Sequence, residues 1–218
     1  MSLTVFEEVK CPCGETFQSE LVSSINAHQD PQLKELLLGG ELNIIKCPEC
    51  HQLFNVDHFL LYIDTQDELI AFVYPLKYEK DREQVEVKMK SDFVQAQDAL
   101  FPGQKITYDP VLVFGLDSLV DLLRYESEKK DEAAVVEFVC KTNKIGCVAL
   151  KPAQARERNL PPVLPALPVP KDHSKTSLGE IKAGFSKVLE LSPGLVIYRE
   201  VFKRIAKENK FDLSGIVR

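Results

Sequence analysis

Four cysteines in two similar stretches are the residues of this chain best suited to chemistry. VKCPCGETF (9–17) and IKCPECHQLF (45–54) each run Lys-Cys-Pro, reach a second cysteine, and place a phenylalanine four residues beyond it. Zinc takes four sulfur or nitrogen ligands in a tetrahedron, so its ligands arrive as two close pairs whose turns aim at one point. Cys11 and Cys13 therefore read as one half of a site, Cys47 and Cys50 as the other, with Zn2+ the expected ion. Four protein ligands leave no position for water or substrate, so the expected role of the metal is structural.

The turns have the chemistry such a site needs. Proline after the first cysteine fixes the backbone there, and amides further round the turn can donate to the sulfurs. Gly14, after Cys13, can take a positive backbone angle; His51 holds the matching place after Cys50 with less ease. The first pair is one residue tighter, C-P-C against C-P-E-C, which leaves His51 open as a substitute for Cys13. A set of buried thiols or a redox pair is the competing reading. C-P-E-C has thiol-disulfide spacing but lacks the strand-to-helix setting that lowers a thiol's pKa.

Few other residues compete. Cys140 and Cys147 read as core or surface thiols, and His28, His58 and His173 show no metal or catalytic spacing. The sequence has no Walker-type phosphate loop, no G-x-S-x-G turn and no H-E-x-x-H helix. The expectation is a non-enzymatic interaction or adaptor protein. The alternative from another class is a zinc or thiol enzyme in which a cysteine detaches, or His51 and a water complete the shell.

Charge bears on the partner. The net charge of −6 is unevenly spread: residues 1–75 hold three Lys/Arg against twelve Asp/Glu, a balance of −9, whereas residues 155–218 hold twelve against seven, or +5. Zinc modules that grip nucleic acid neutralise phosphates with Lys and Arg, so nucleic acid is not expected on residues 1–75. It stays open as a ligand of the basic C-terminal helices; a protein is the expected partner. No apolar run approaches the length of a membrane span, and the amino terminus lacks the pattern of an export signal. Reduced thiols in such a chain point to the cytoplasm.

Strands are expected at 3–10 and 16–25, flanking the first turn, and at 41–47 and 52–56, flanking the second. Between them DPQLKELLLGG reads as a short helix: Asp30 as cap, Pro31 at the first position, Gly39-Gly40 at the end. A hairpin follows at 58–75, a helix at 80–100 on the apolar spacing of Val85, Met89, Phe93, Ala96 and Leu100, a short buried strand at 111–115, and one long or two consecutive helices after it. Six of the thirteen prolines fall in residues 152–170, a texture of extended linkers. A helix pair is expected at 176–190 and 195–210. In the second helix Leu195, Tyr198, Val201, Phe202 and Ile205 share a face, which suits packing on its partner helix or docking onto an acidic surface.

Cys11-Pro12-Cys13-Gly14, Asp30-Pro31 with Leu33, Leu36 and Gly40, Cys47-Pro48-Glu49-Cys50, Leu61-Tyr62-Ile63-Asp64 and Val113-Phe114-Gly115-Leu116-Asp117 together resemble the CpXC domain, named for its two Cys-Pro-x-Cys motifs. The likeness spans roughly residues 5–140 and departs from the pattern only in the shortened first motif. It implies a metal-binding domain of prokaryotic proteins and suggests no reaction. The expected architecture is thus α+β: an antiparallel, zinc-ribbon-like sheet with an inserted short helix and following helices over 1–150, a proline-rich linker over 151–175 and a C-terminal helical module over 176–218.

Overall fold

The computed structural model describes residues 2–101, 103, 106–170, 176–207 and 217, with side chains left undescribed at 98–100. The fold is α+β, and the chain divides into two units, Met1–Leu123 and Arg124–Arg218. Among the described residues no helix is long and apolar enough to cross a membrane.

In the first unit, strands β1 (Leu3–Lys10) and β2 (Thr16–Asn26) form a long hairpin and are followed by helix α1 (Pro31–Leu38). Strands β3 (Ile44–Lys46) and β4 (Leu53–Asn55) make a second, small hairpin; β5 (Leu60–Asp64) and β6 (Leu69–Tyr74) make a third. A 3-10 turn (Leu76–Asp81) leads into α2 (Arg82–Leu100), then β7 (Val111–Phe114) and the start of α3 (Leu116–Asn143). The main sheet has the order β1-β2-β5-β6-β7, and β3-β4 stands as a separate ribbon.

The expected antiparallel pairing holds for β1 with β2 and β5 with β6, and two parallel pairs join these hairpins into a mixed sheet, β2 with β5 and β6 with β7. Parallel neighbours need a long crossover, and the chain supplies two: α1 with the small hairpin between β2 and β5, and α2 between β6 and β7. Central strands covered on both faces read as unbroken apolar runs, as LLYID and LIAFVY do. Leu60, Tyr62, Leu69, Ala71 and Val73 pack with Leu37 of α1 and Leu119 of α3 in one core. Leu61, Ile63, Ile70 and Phe72 pack with Met89 and Phe93 of α2 in another. The helix expected over 80–100 is therefore present, and its exposed Val87 is a surface residue of that helix.

Pro31 opens α1 and Gly40 follows it with φ +73°, as expected. Asp30, however, does not cap the helix. Its carboxylate accepts instead from the N–H and hydroxyl of Ser2, at 3.2 and 2.6 Å.

The second unit holds the rest of α3, a single helix of 28 residues, with β8 (Gly146–Ala149), α4 (Pro152–Glu157), β9 (Val163–Ala166), α5 (Leu178–Leu191) and α6 (Val196–Lys207). This corrects the expected linker and the boundary before it. Pro152 takes the first position of α4, where its missing N–H costs nothing. Pro165 lies opposite Cys147 in a two-stranded ribbon, where each strand keeps a free edge that needs no donor. Between the prolines Leu160, Val163, Leu164 and Ala166 are buried in one core with Val136, Ile181, Phe185 and Tyr198. The C-terminal helices are accordingly not a separate module. Residues 171–175, with His173, and 208–210 of the expected last helix lie outside the described residues.

Leu195, just ahead of α6, and Tyr198, Val201 and Ile205 within it are buried in that core, and Phe202 stacks on Phe185, so the helix's apolar face is internal. Glu132 of α3 caps it, accepting from the N–H groups of Val196, Ile197 and Tyr198 at 2.7–3.1 Å, which places a carboxylate at the positive end of the helix. Cys140 is buried in this core, with Cys147 half-buried against it, in keeping with core thiols.

Candidate metal centre

The four cysteines of the two turns meet at one point. Cys11 and Cys13 sit at the tip of the β1-β2 hairpin, Cys47 and Cys50 at the tip of β3-β4. Each tip is closed in the same way. In the first, Cys11 N–H donates to the Glu15 carbonyl and Gly14 N–H to that of Cys11 (2.8 and 2.9 Å). In the second, Cys47 N–H donates to the Gln52 carbonyl and His51 N–H to that of Cys47 (3.0 and 3.1 Å). Both turns end in the left-handed region, Gly14 at φ +102° and His51 at φ +60°. Glycine enters that region freely, whereas a side chain there costs about 1 kcal/mol. His51→Gly is expected to raise stability by about that amount, seen as a higher denaturant midpoint with metal content unchanged.

The sulfurs pair across the hairpins, Cys11 with Cys50 at 3.6 Å and Cys13 with Cys47 at 3.8 Å, and all four lie within 4.8 Å of one another. These are not disulfides, whose bond is about 2.05 Å. A tetrahedron built on Zn–S bonds of ~2.3 Å has S···S edges of about 3.8 Å, close to the 3.6 and 3.8 Å of the two cross-hairpin pairs. Four cysteines so placed could hold a metal ion. His51, the expected alternative to Cys13, is not part of this cluster.

Backbone amides point into the set. The amides of Cys50 and Glu49 act to lower the Cys47 thiol, that of Cys13 the Cys11 thiol and that of Gln52 the Cys50 thiol. The shorter first turn thus gives Cys11 one amide where Cys47 has two. Burial pushes the Cys11 thiol up to about 12. At Cys47 burial also raises the pKa, but the two amides and the neighbouring thiols outweigh it and bring the group to about 7. Anionic sulfur is what a metal requires, and amide donors stabilise it. Cys11 and Cys47 are buried, while Cys13 and Cys50 face solvent.

Two contacts that the motif spacing does not reveal bring the hairpins together. Phe17 and Phe54, the phenylalanines shared by the two stretches, meet edge to face with ring centroids 6.4 Å apart, a favoured aromatic geometry. Asn43, buried just before β3, uses its side-chain amide as a piece of strand: its oxygen accepts from Val22 N–H at 2.8 Å and its nitrogen donates to the Val22 carbonyl at 3.0 Å. The only trace in the sequence is a lone asparagine beside the apolar pair Ile44-Ile45, at φ +57°, an angle asparagine tolerates better than most. Asn43→Ala is expected to cost about 2 kcal/mol by orphaning both backbone groups of Val22, and to speed metal loss to a chelator.

The comparisons with known proteins agree with this geometry. No curated protein and no solved structure matches the chain. The family model described as CpXC protein matches residues 9–139, a span that contains both turns, strands β2 to β7 and most of α3. On that match, with its paired Cys-Pro turns converging on one cluster of sulfurs, the chain belongs to the CpXC family.

Proposed function

We propose that Cys11, Cys13, Cys47 and Cys50 bind one Zn2+ as thiolates, that the ion is structural, and that the protein is a non-enzymatic interaction or adaptor protein of the cytoplasm. The observation that carries this reading is the sulfur spacing, which suits a closed tetrahedron. Among the described residues no histidine or carboxylate joins the cluster as a further ligand. Four-sulfur tetrahedra are taken by zinc or by iron, and zinc is the one that serves purely as a clasp. Thiolates that must stay reduced suit a reducing compartment.

Elemental analysis of the purified, untagged chain should find close to one zinc per molecule. Iodoacetamide should leave all four thiols unmodified until a chelator is added. A metal content far below one equivalent would sink the proposal. The exposure of Cys13 and Cys50 favours one rival, in which these thiols react. Their rapid alkylation in the metal-loaded protein would support that rival and place the chain among thiol or zinc enzymes.

A further inference from the structure

The second unit holds two cysteines that the metal centre does not use, and the end of α3 brings them together. The helix closes on a left-handed residue, Lys144 at φ +56°, and Ile145 N–H donates back to the Cys140 carbonyl at 3.0 Å. This is the bond of a Schellman turn, made from the second residue past the cap to the last turn of the helix, and it reverses the chain. β8 therefore starts against the last turn of α3, with Cys147 two residues beyond Ile145.

Cys140 is 1% exposed, in the core that includes Val136, Val139 and Ile145. Cys147 is half-buried and packs against that same core, so one thiol of the pair reaches solvent and the other does not. The two side chains act on each other. The Cys140 thiol is pushed far up, first by the Cys147 sulfur and then by burial. The Cys140 side chain in turn brings Cys147 down, against the opposing effects of burial and Glu137. Negative charge settles on the sulfur that water can reach, and the buried sulfur keeps its proton. An accessible thiolate with a second cysteine beside it is the arrangement that oxidants select.

We infer that Cys140 and Cys147 form a reversible oxidation site for hydrogen peroxide, with Cys147 the reacting sulfur and Cys140 the resolving one. None of the four tip cysteines takes part, so the pair is independent of the metal reading. The Cys147 thiolate attacks one oxygen of the peroxide, the O–O bond breaks, and hydroxide departs from a sulfenic acid. The Cys140 sulfur then attacks the Cys147 sulfur. The S–S bond forms, the S–O bond breaks, and the departing hydroxide takes the Cys140 proton as water. Counting the proton that Cys147 shed at the start, two thiols and one peroxide give one disulfide and two waters, and the electrons pass from sulfur to the peroxide oxygens. A small thiol restores the pair by exchange.

Peptide mapping of the purified full chain tests this. The folded protein is treated with a small excess of hydrogen peroxide, unfolded in iodoacetamide and chelator, and cut with trypsin. Cleavage after Lys130, Lys141, Lys144 and Arg156 puts the two sulfurs on separate peptides, residues 131–141 and 145–156, so a disulfide between them appears as a linked pair. That pair is expected as the main oxidised form of these two cysteines, and dithiothreitol added before the alkylation should abolish it. In a Cys140→Ser protein the product should become a sulfenic acid on Cys147, trapped by dimedone. In a Cys147→Ser protein Cys140 should stay a thiol. Recovery of both peptides unlinked, linkage of either cysteine to one at the tips, or oxidation of Cys140 in the Cys147→Ser protein would each overturn the inference. If Cys140→Ser does not fold, the linked peptides of the unaltered chain decide. A chain that forms the link yet carries no zinc would sink the metal reading alone and leave the oxidation site standing.

Discussion

A Cys47→Ser protein is expected to lose its metal and about 4 kcal/mol of stability. A serine hydroxyl is a poor zinc donor, so one substitution opens the tetrahedron. The cost follows from chain entropy: a bound ion would tie Cys13 to Cys47 and Cys11 to Cys50, separations of 34 and 39 residues, and a cross-link closing such a loop stabilises by about 4 kcal/mol. In isolated zinc fingers the metal supplies roughly 10 kcal/mol or more because the peptide has little else to fold around. Here the sheet is already buried on both faces by α1, α2 and α3, so the mutant should keep its strands and lose the order of the two tips. Denaturant titration with and without zinc reads the effect. A midpoint that neither the substitution nor a chelator moves would show that the thiols carry no clasp.

Gly184→Ala should destabilise the second unit strongly. Helix propensity alone favours alanine over glycine by about 1 kcal/mol inside a helix such as α5. Space reverses the sign, because a Cβ at Gly184 would sit 2.4 Å from the carbonyl carbon and oxygen of Pro165 and 2.5 Å from the nitrogen of Ala166. Those atoms are the backbone of β9, which is held by β8, so no flexible side chain can give way. Overpacking of this kind costs about 3 kcal/mol, a fall in melting temperature of roughly 6–12 °C. An unchanged or higher melting temperature would mean that β9 does not lie against α5 as described.

The paired cysteine tips were legible in the sequence because their chemistry is local. Spacing and proline describe each turn, whereas the ring contact of the repeated Phe17 and Phe54 depends on how the two hairpins meet. Helices α1 and α2 were legible for the same reason, through their caps and their apolar period. Asp30 shows the limit: a good capping residue was drawn off by Ser2, a competitor 28 residues away. The parallel pairings of β2 with β5 and β6 with β7 could not be read, since strand composition says nothing about which edge a strand will meet. The proline-rich segment has the composition of a linker, but the apolar residues between its prolines, Leu160, Val163, Leu164 and Ala166, are buried. Each proline within an element occupies a position that needs no N–H, so they punctuate a packed region instead of dissolving it.

The crosswise pairing of sulfurs makes the centre a reporter of assembly. Neither turn alone can present more than two donors, and the partner of each buried cysteine comes from the other hairpin. A four-thiolate spectrum, as cobalt would give in place of zinc, can therefore appear only once the β1-β2 and β3-β4 tips have found each other. Its growth during refolding would time a long-range encounter that backbone probes register only in aggregate.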